Sequence, residues 1–471
     1  MMAATLGAKL ALARTVGTIS RWRGGGATSA PGRVLMRLQP DAIRTLGSRL
    51  TRGSALISAT NGKTTTATMT AAILRRAGVK LVHNHAGANM AGGVATALLD
   101  AAGARGRIAG ELGLFEVDEL WLAAVADELA PRAVLLSNLF RDQLDRYGEL
   151  ERIAESWEEV LSARPTCPVL NADDPLVADL GRDHPQTLYF GVEDDSLALP
   201  GMSHAADAKH CRRCGAPYVF DAVYLGHLGH YHCDGCGQRR PTPALTAGEV
   251  VLHGVRTSEF TLHSPAGEVR VGLELPGLYN VYTALAAAAL ASALEVPMEA
   301  IAAGLADVRP AFGRAESLTL SPTSAGNGTA PGAEPRELRI LLVKNPAGAN
   351  EVLRTLTLEP GRHDLLGVLN DKIADGRDVS WIWDADFELL ADRVRRVTCS
   401  GTRAPDLAVR MKYAGVDPAA IHVEPDLPAA LDQAAASRPD RDAPLYALPT
   451  YTAMLSLREL LVARGDASTS W

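Results

Sequence analysis

The sequence is poor in cysteine and contains no long apolar run. Its six cysteines among 471 residues are too few for a disulfide framework. No apolar run reaches the roughly 18–20 residues that a membrane-spanning helix needs. The formal net charge of −7 argues against a dedicated nucleic-acid-binding protein. The remaining composition, 47% apolar and 21% charged, is that of a globular protein, and at roughly 100–200 residues per domain the length predicts two to four domains.

The first 40 residues contain basic residues but no acidic one. They lack the apolar segment and cleavage site of a secretory signal, so we expect a cytoplasmic protein. Two interpretations stay open for this segment. It forms either a basic amphipathic helix that contacts an anionic membrane surface, or a helix that packs on the domain behind it.

Buried strands alternate with helical patterns through the first half of the chain, as in parallel α/β sheets. We predict strands at 54–59, 132–137, 167–171 and 186–190, and an Ala-rich helix from Asn280 to Leu294. In the C-terminal part we expect a second, Rossmann-like α/β domain, with VSWIWDAD (379–386) among its strand ends. The predicted organisation is an N-terminal basic helical segment (1–50), an ATP-binding domain (51–316) with an insertion (204–245), a flexible linker (317–336) and the C-terminal domain (337–471).

A phosphate-binding loop is predicted at Thr60-Asn61-Gly62-Lys63-Thr64-Thr65. The general P-loop pattern fails at its first position, where Ile57 replaces glycine. A strand precedes the loop and a helix follows it, which is the required context. Only 7 of the 47 basic residues are lysines, so a lysine inside this motif is informative. Lys63 would neutralise phosphate charge, and Thr64 would bind Mg²⁺.

Acidic and amide side chains follow two later strands. Glu116, with Asp118 and Glu119 behind it, follows an apolar stretch. The next strand is followed by further candidates, namely Asn138, Asp142, Gln143 and Asp145. Ligand sites collect at the carboxyl ends of parallel strands, and magnesium-dependent phosphoryl transfer needs carboxylates there. Taken alone, each block also fits a capped helix N-terminus.

Four cysteines have the spacing of a zinc ribbon. Cys211 and Cys214 are separated by two residues, as are Cys233 and Cys236, with eighteen residues between the pairs. Four thiolates complete the tetrahedral shell of Zn²⁺ and leave no open position, which predicts a structural rather than catalytic zinc. The alternatives are two disulfides or a nucleic-acid-binding ribbon. The acidic chain and the missing export signal weigh against both.

Several dispersed motifs together resemble the ATP-dependent Mur ligase family. They are TNGKTTT (60–66), FEVDE (115–119), NLFRDQLDRYGE (138–149), LNADDP (170–175), LPGLYNVYTALAA (275–287) and FGRAE (312–316). The resemblance implies a Mur ligase-like fold in which an amine is joined to a carboxylate through an acyl phosphate. It also implies that the loop binds ATP, that Glu116 binds Mg²⁺, that Asn280 lies near the adenine and that Arg314 contacts ribose or phosphate.

The chain departs from the common Mur pattern in three further respects. Gln143 stands where the family usually has a metal-binding histidine. Trp157 or a neighbour takes the place of a lysine that is commonly carbamylated. The residues before position 54 are too few for a UDP-sugar-binding domain, so we expect the acceptor not to be bound through UDP.

Motifs in the C-terminal part resemble one branch of the family. They are VKNPAGANEVLR (343–354), LNDKIADGRDVSWIWDADFE (369–388), GTRAPDLAVRMKYAG (401–415) and LPTYTAMLSLRELL (448–461). This resemblance implies ATP-dependent amidation of the D-glutamate α-carboxylate in the lipid II stem peptide. The ammonia would come from a separate glutaminase subunit, which the sequence supports because neither Cys167 nor Cys399 lies in a nucleophile motif.

A carboxylate in the segment DVSWIWDAD (378–386) is expected to take a proton from the incoming ammonia. Asp378, Asp384 and Asp386 are the candidates, and by resemblance one of them assists the glutaminase site of the partner instead. Two other functions stay open. One is a ligase that adds an amino acid, as folylpolyglutamate synthetases do, and the other is a nucleotide-binding scaffold that only docks the glutaminase.

Overall fold

The computed structural model describes residues 2–22, 28–84, 87–142, 150–202, 206–309, 314–321, 335–436 and 443–468. Within these ranges the strands are β1 (Ser54–Ser58), β2 (Leu81–His83), β3 (Leu112–Glu116), β4 (Ala133–Leu136), β5 (Cys167–Asn171), β6 (Leu188–Val192), β7 (Val219–Leu225), β8 (Leu228–His232), β9 (Leu245–His253), β10 (Thr257–Ser264), β11 (Gly267–Leu273), β12 (Arg314–Leu320), β13 (Arg336–Leu341), β14 (His363–Val368), β15 (Val394–Ser400), β16 (Ile421–Val423) and β17 (Leu445–Pro449).

The α-helices in the same ranges are α1 (Met2–Trp22), α2 (Ala30–Leu38), α3 (Ala42–Gly47), α4 (Lys63–Arg76), α5 (Ala91–Ala101), α6 (Leu122–Leu129), α7 (Leu150–Ala163), α8 (Pro175–Asp179), α9 (Leu278–Ala293), α10 (Met298–Ala306), α11 (Pro346–Thr357), α12 (Ala404–Tyr413), α13 (Leu427–Ala436) and α14 (Tyr451–Arg464). None of these helices has both the length and the apolarity needed to cross a membrane.

The larger sheet has nine strands in the order β11-β10-β9-β6-β5-β4-β1-β3-β2. The pairs from β2 to β9 are parallel, and only β9, β10 and β11 pair antiparallel. Strand β1 is buried at all five positions, as expected for a parallel strand covered on both faces. The parallel-dominant sheet confirms the predicted α/β class.

The register brings three loops to one edge of this sheet. Ile57 is opposite Glu116 on β3 and opposite Leu135 on β4. The segments after β1, β3 and β4 therefore leave the sheet side by side. This edge is formed by the carboxyl ends of parallel strands, where α/β proteins place their ligands.

Helix α9 crosses the sheet with almost every side chain buried. Its alanines favour the helical conformation and, because they are small, let the helix lie close to the strands. At its N-terminus, Gly277 has a φ of 81° and precedes the first helical residue. The close packing of α9 positions Asn280 and its neighbours near the phosphate loop.

The N-terminal helices pack on the opposite face of the sheet. Leu10, Leu35 and Leu46 are buried in one apolar cluster with side chains of α5 and β3. The Arg14 guanidinium donates to Leu99 O at 2.8 Å. Helix α1 thus packs on the domain, and whether this segment also contacts a membrane stays a prediction.

The second sheet has six strands in the order β12-β13-β17-β14-β15-β16. Only the β12–β13 pair is antiparallel. Strand β12 pairs with β13. Residues 317–320, which the sequence predicts to be part of a flexible linker, therefore belong to this sheet, and so do residues 314–316, which the sequence places in the preceding domain. Residues 322–334 lie outside the described ranges.

The expected strand at VSWIWDAD is wrong. Residues Ser380–Trp383 and Phe387–Leu390 form two short 3₁₀ helices. Tryptophan and isoleucine favour strands, but the Asp378 carboxylate accepts the Ser380 N–H at 2.8 Å and starts a turn. Ile382 then faces the core, whereas Trp383 is half exposed.

Candidate active site and cysteine cluster

The predicted phosphate loop joins β1 to α4. Gly62 has a φ of 81°, in the left-handed region that favours glycine, and a Cβ there would lie 3.1 Å from Thr283 Oγ1. Helix α4 begins at the next residue, Lys63. Its first N–H groups have no partners within the helix, which makes this end a site for a phosphate anion.

The loop is held in place from the segment after β4. Asn61 N–H donates to Asn138 Oδ1 at 2.9 Å, and the Asn138 amide donates back to Asn61 O at 3.1 Å. Thr60 Oγ1 accepts the Phe140 N–H at 3.0 Å. Asn138, a predicted site residue, therefore positions the loop backbone.

Lys63 lies against buried carboxylates. Its ammonium is 2.8 Å from Glu119 Oε2 and also donates to Ala59 O. Burial opposes the charge, but the neighbouring carboxylates, above all Glu119, outweigh it and the pKa of Lys63 is raised. The lysine is therefore a permanent cation at the start of α4.

Thr64 and Glu116 form a second contact between the loop and β3. Thr64 Oγ1 donates to Glu116 Oε1 at 3.0 Å. The backbone of Glu116 is held by Asn84, which accepts its N–H at 2.9 Å and donates to its O at 2.8 Å. A hydroxyl and a carboxylate oxygen side by side are ligands of the kind that Mg²⁺ prefers. The two residues fit the magnesium site that the sequence predicts.

A pocket opens beside the loop. Its walls come from the loop, from α9, from the β7–β8 hairpin and from the C-terminal domain, with Asn280, Tyr282, Leu228 and Leu342 among the lining residues. The Asn280 amide donates to Pro276 O at 2.7 Å, so it is fixed at the pocket wall. The pocket has the mainly apolar lining, with a few polar groups, of a small-molecule site.

A second pocket, which we call the acidic pocket because four aspartates line it, lies between the two sheets. Asp378 and Asp384 both line it, together with Arg141 and Asp142. Asp142 Oδ1 is buried and has no hydrogen-bond partner among the described residues, which suits it to a cation or a donor group of a substrate. The third candidate, Asp386, instead accepts the Asn350 amide at 2.7 Å.

Lys344 lines both pockets. Its ammonium is 2.5 Å from Asp142 Oδ2 and donates to Thr60 O at 3.2 Å. The side chain is about a third exposed. It therefore places a positive charge at the boundary between the pocket beside the phosphate loop and the acidic pocket.

The four cysteine sulfurs lie within 4.8 Å of one another. Cys211 Sγ is 3.6 Å from Cys236 Sγ, and Cys214 Sγ is 3.5 Å from Cys233 Sγ. A disulfide would need about 2.05 Å, whereas thiolates at 2.3 Å from a tetrahedral zinc are roughly 3.8 Å apart. All four are free thiols, so the cluster fits zinc and not two disulfides.

Glycines shape the two turns that carry these sulfurs. Gly215 and Gly237 follow the second cysteine of each pair and have φ values of 74° and 72°. Their N–H groups donate to the carbonyls of Cys211 and Cys233 at 2.8 and 2.9 Å. Each pair thus sits in the same tight turn.

Comparison with known proteins identifies the family. Residues 57–221 match a family model described as the Mur ligase middle domain, and residues 342–454 match one described as MurT ligase C-terminal. The chain is 31% identical to the lipid II isoglutaminyl synthase (glutamine-hydrolyzing) subunit MurT of Streptococcus pneumoniae (strain ATCC BAA-255 / R6), over 93% of each chain. It is 30% identical to the subunit of the same name from Staphylococcus aureus (strain N315), over 96% of each chain. The chain belongs to the MurT family.

Solved structures support the fold of this MurT-family chain. A pseudomurein peptide ligase type C from Methanothermus fervidus has a TM-score of 0.65 at 23% identity and covers 89% of this chain and 80% of its own. MurF from Acinetobacter baumannii has a TM-score of 0.61 at 17% identity, with 92% and 80% covered. The MurT assignment and the predicted class, an ATP-dependent ligase acting as one subunit of an amidotransferase, are confirmed.

The departures from the common Mur pattern have different outcomes in the structure. Trp157 is fully buried, and its indole N–H donates to Glu119 O at 3.3 Å. In this MurT-family chain a buried tryptophan therefore packs against the segment that carries Glu119 and holds its backbone. Gln143 and Asp145 lie outside the described residues. Arg314 begins β12, but its side chain is not described.

Sequence reasoning missed Lys344, Asn345 and Arg141 as site residues. Asn345 and Asn61 exchange amide hydrogen bonds, and Arg141 lines the acidic pocket. A signal for Lys344 existed, since it is one of seven lysines and lies in a motif typical of the MurT branch. Its contact with the phosphate loop spans 284 residues of sequence, which no local pattern reveals.

Proposed function

We propose that this chain amidates the α-carboxylate of D-glutamate in the lipid II stem peptide to D-isoglutamine during peptidoglycan biosynthesis, with ATP as energy source. The observation that carries the proposal is the match to relatives named lipid II isoglutaminyl synthase subunit across more than nine-tenths of both chains. The two adjoining pockets, one beside the phosphate loop and one lined by carboxylates, support it.

The chemistry requires activation because a carboxylate is a poor electrophile. A carboxylate oxygen attacks the γ-phosphorus of ATP, the bond to the β-phosphate oxygen breaks, and an acyl phosphate and ADP result. Lys63 and the first N–H groups of α4 would stabilise negative charge on the transferring group. Mg²⁺ bound by Thr64 and Glu116 would supply further charge neutralisation.

We assign Lys344 to the second cationic position. It lies where the nucleotide pocket meets the acidic pocket, so its ammonium is placed to bind the phosphoryl group as that group passes to the acceptor. Thr60, Asn61, Gly62 and Thr65 complete the loop, while Asn280 and Arg314 are assigned to the nucleoside.

Ammonia then attacks the carbonyl carbon, phosphate leaves, and a proton is lost from the new nitrogen. A carboxylate of the acidic pocket would accept this proton. We assign Asp384 to this role because it lines the pocket and its side chain is only half exposed. Asp378 is exposed, and hydrogen bonding from Ser380 holds its pKa below the ordinary value, which makes it a weak base and a candidate for the glutaminase site of a partner.

The ammonia source is a separate glutaminase subunit of the GatD type. Cys399 is buried and burial raises its pKa to about 12, and burial also raises the pKa of Cys167. Neither thiol has the depressed pKa that a glutaminase nucleophile needs. The chain therefore acts in a heterodimer.

We further propose a structural zinc ion in the ribbon of residues 204–245, bound by Cys211, Cys214, Cys233 and Cys236. The mostly parallel order of the second sheet supports a Rossmann-like C-terminal domain, with the division between the domains at β12. Because lipid II is a membrane lipid, we place the working enzyme in the cytoplasm at the inner face of the membrane, as a peripheral protein.

ADP formation by Asp384→Asn and by Asp378→Asn, measured with either ammonium or glutamine as the nitrogen source, tests the roles assigned to these two aspartates. With lipid II and ATP, we expect Asp384→Asn to lose ADP formation with ammonium and with glutamine plus the partner. Asp378→Asn should lose only the glutamine-dependent activity. A wild-type chain that binds ATP but never turns it over would instead favour a scaffold, and a product carrying an added amino acid would favour an amino-acid ligase.

A further inference from the structure

We propose that the tip of the β7–β8 hairpin, residues 225–228, is a wall of the nucleotide pocket, and that the four-cysteine cluster at the base of this hairpin holds it there. The inserted ribbon would then set the affinity for the nucleotide. The proposal rests on the assignment of the pocket beside the phosphate loop to ATP.

The tip reaches the pocket with two apolar side chains. Leu225 and Leu228 line it, opposite Asn280 and the C-terminal domain. Both leucines are almost fully buried. Apolar side chains at such a wall are suited to the flat face of a nucleobase, because they exclude water from it.

The tip is wedged against the segment that holds the phosphate loop. Gly226 has a φ of 60°, and a Cβ there would lie 2.7 Å from the ring of Phe140. The imidazole of His227 is fully buried, with its centroid 4.5 Å from that of Phe140. Phe140 N–H in turn donates to Thr60 Oγ1 at 3.0 Å. A displacement of the tip would therefore also displace Phe140 and, through it, the phosphate loop.

His227 is fixed by polar contacts on both sides. Its Nδ1 accepts the Asp207 N–H at 3.3 Å, and its Nε2 lies 3.4 Å from Asp174 Oδ2. Asp207 belongs to the ribbon and also accepts the Arg141 N–H at 2.9 Å. His227 is thus a positioning residue that joins the ribbon, through Asp207 and Phe140, to the segments lining both pockets.

The base of the hairpin runs straight into the cluster. Strand β8 ends at His232, immediately before Cys233. The ring centroids of Tyr218 and Tyr231 are 5.2 Å apart. Both rings are buried in one cluster with Cys211 and Cys233. Arg213 anchors the first cysteine turn to the domain through Asp179 at 2.5 Å. Four thiolates bound to one zinc ion would fix the base of the hairpin. Because β8 runs from Leu228 to His232, directly before Cys233, a fixed base also fixes the position of Leu228.

Binding reciprocity makes the proposal measurable without turnover. If the cluster supports the nucleotide wall, nucleotide binding must strengthen zinc binding by the same coupling free energy. The zinc-loaded full-length chain is brought to equilibrium with a chelator, and the fraction of zinc released is measured with and without the non-hydrolysable ATP analogue AMPPNP and Mg²⁺. Affinity for AMPPNP is measured in parallel by titration calorimetry.

The test variant is Leu228→Ala, and Leu262→Ala is the matched control. Both remove a buried leucine side chain, but Leu262 lies on β10 and does not line the pocket. We expect AMPPNP to reduce the fraction of zinc released from the wild type and from Leu262→Ala, but much less from Leu228→Ala. Leu228→Ala should also bind AMPPNP about tenfold more weakly, which corresponds to about 1.4 kcal/mol, with its zinc content unchanged.

Zinc release that is the same with and without bound AMPPNP would overturn the proposal, as would unchanged AMPPNP affinity in Leu228→Ala. Both results would leave the proposed ligase function intact. Failure of the wild-type chain to bind AMPPNP would overturn the proposed nucleotide site itself, and the inference with it.

Discussion

Asn345 and Asn61 exchange hydrogen bonds between the C-terminal domain and the phosphate loop. The Asn345 amide donates to Asn61 Oδ1 at 2.9 Å, and the Asn61 amide donates to Asn345 Oδ1 at 3.3 Å. Asn345 Oδ1 also accepts the Gly348 N–H at 2.9 Å and caps α11. One side chain thus both starts a helix of the C-terminal domain and binds the loop of the other domain.

Replacing Asn345 separates these two roles. Asn345→Ala should lower the stability of the C-terminal domain by about 1 kcal/mol through loss of the cap, and should lower ATP turnover. Asn345→Asp keeps a capping oxygen but places a negative charge beside the phosphate loop. Compared with Asn345→Ala, we expect Asn345→Asp to recover the wild-type midpoint of thermal unfolding but not the wild-type rate of ATP turnover. Full turnover in Asn345→Asp would show that the loop contact is not used.

Loss of Lys344 should lower the catalytic rate. We expect Lys344→Ala to lower kcat by about 100-fold, because a charge that stabilises the transferring phosphoryl group is removed, while AMPPNP affinity changes little. Lys372→Ala is the control, since that lysine is exposed and does not line either pocket. Steady-state ADP formation measures both variants. Equal kcat values in the two would contradict the assignment of Lys344.

Trp157 should be a major source of stability for the central domain. It is fully buried and supports the segment of Glu119, so Trp157→Ala should cost about 3–5 kcal/mol in the free energy of unfolding. Trp383→Ala is the matched control because that side chain is 51% exposed, and its loss should be clearly smaller. Urea denaturation checks both, and comparable losses would be inconsistent with this packing.

The thiol of Cys399 should be unreactive at ordinary pH. Burial disfavours the thiolate and raises the pKa to about 12, so the group stays protonated at pH 8 and reactivity can appear only as the pH rises far above neutrality. We expect no maleimide labelling of Cys399 in the native chain at pH 8, and labelling after denaturation. Peptide mass analysis measures this, with the denatured chain as the positive control. Rapid native labelling would reopen the question of a built-in glutaminase.

Local patterns were enough to predict the elements that carry the phosphate loop. Strands β1, β4 and β5 and helix α9 are formed where apolar runs and alanine periodicity indicate them, because burial on both faces produces an unmistakable pattern. Glu116 lies beside the phosphate loop because β1 and β3 pair in parallel and their carboxyl ends meet at one edge of the sheet. Asp378 and Asp384 share the acidic pocket, although their strand context was predicted wrongly.

Contacts between distant segments could not be predicted from the sequence. The pairs Asn345–Asn61 and Lys344–Asp142 join residues more than 200 positions apart, and they depend on how the two sheets are placed. Nothing in the zinc-ribbon spacing indicated that the hairpin tip would line the pocket beside the phosphate loop. Tertiary packing decided these features, and local propensity did not.

Product analysis of the reaction with lipid II, ATP, Mg²⁺ and ammonium tests the central claim most directly. The account predicts one ADP for each lipid II molecule converted, together with the small mass decrease caused by replacement of a hydroxyl by an amino group at the D-glutamate α-carboxylate. Lys63→Ala should form neither product. Lipid II that remains unmodified with ammonium and also with glutamine plus the glutaminase subunit, while ATP binds normally, would contradict it.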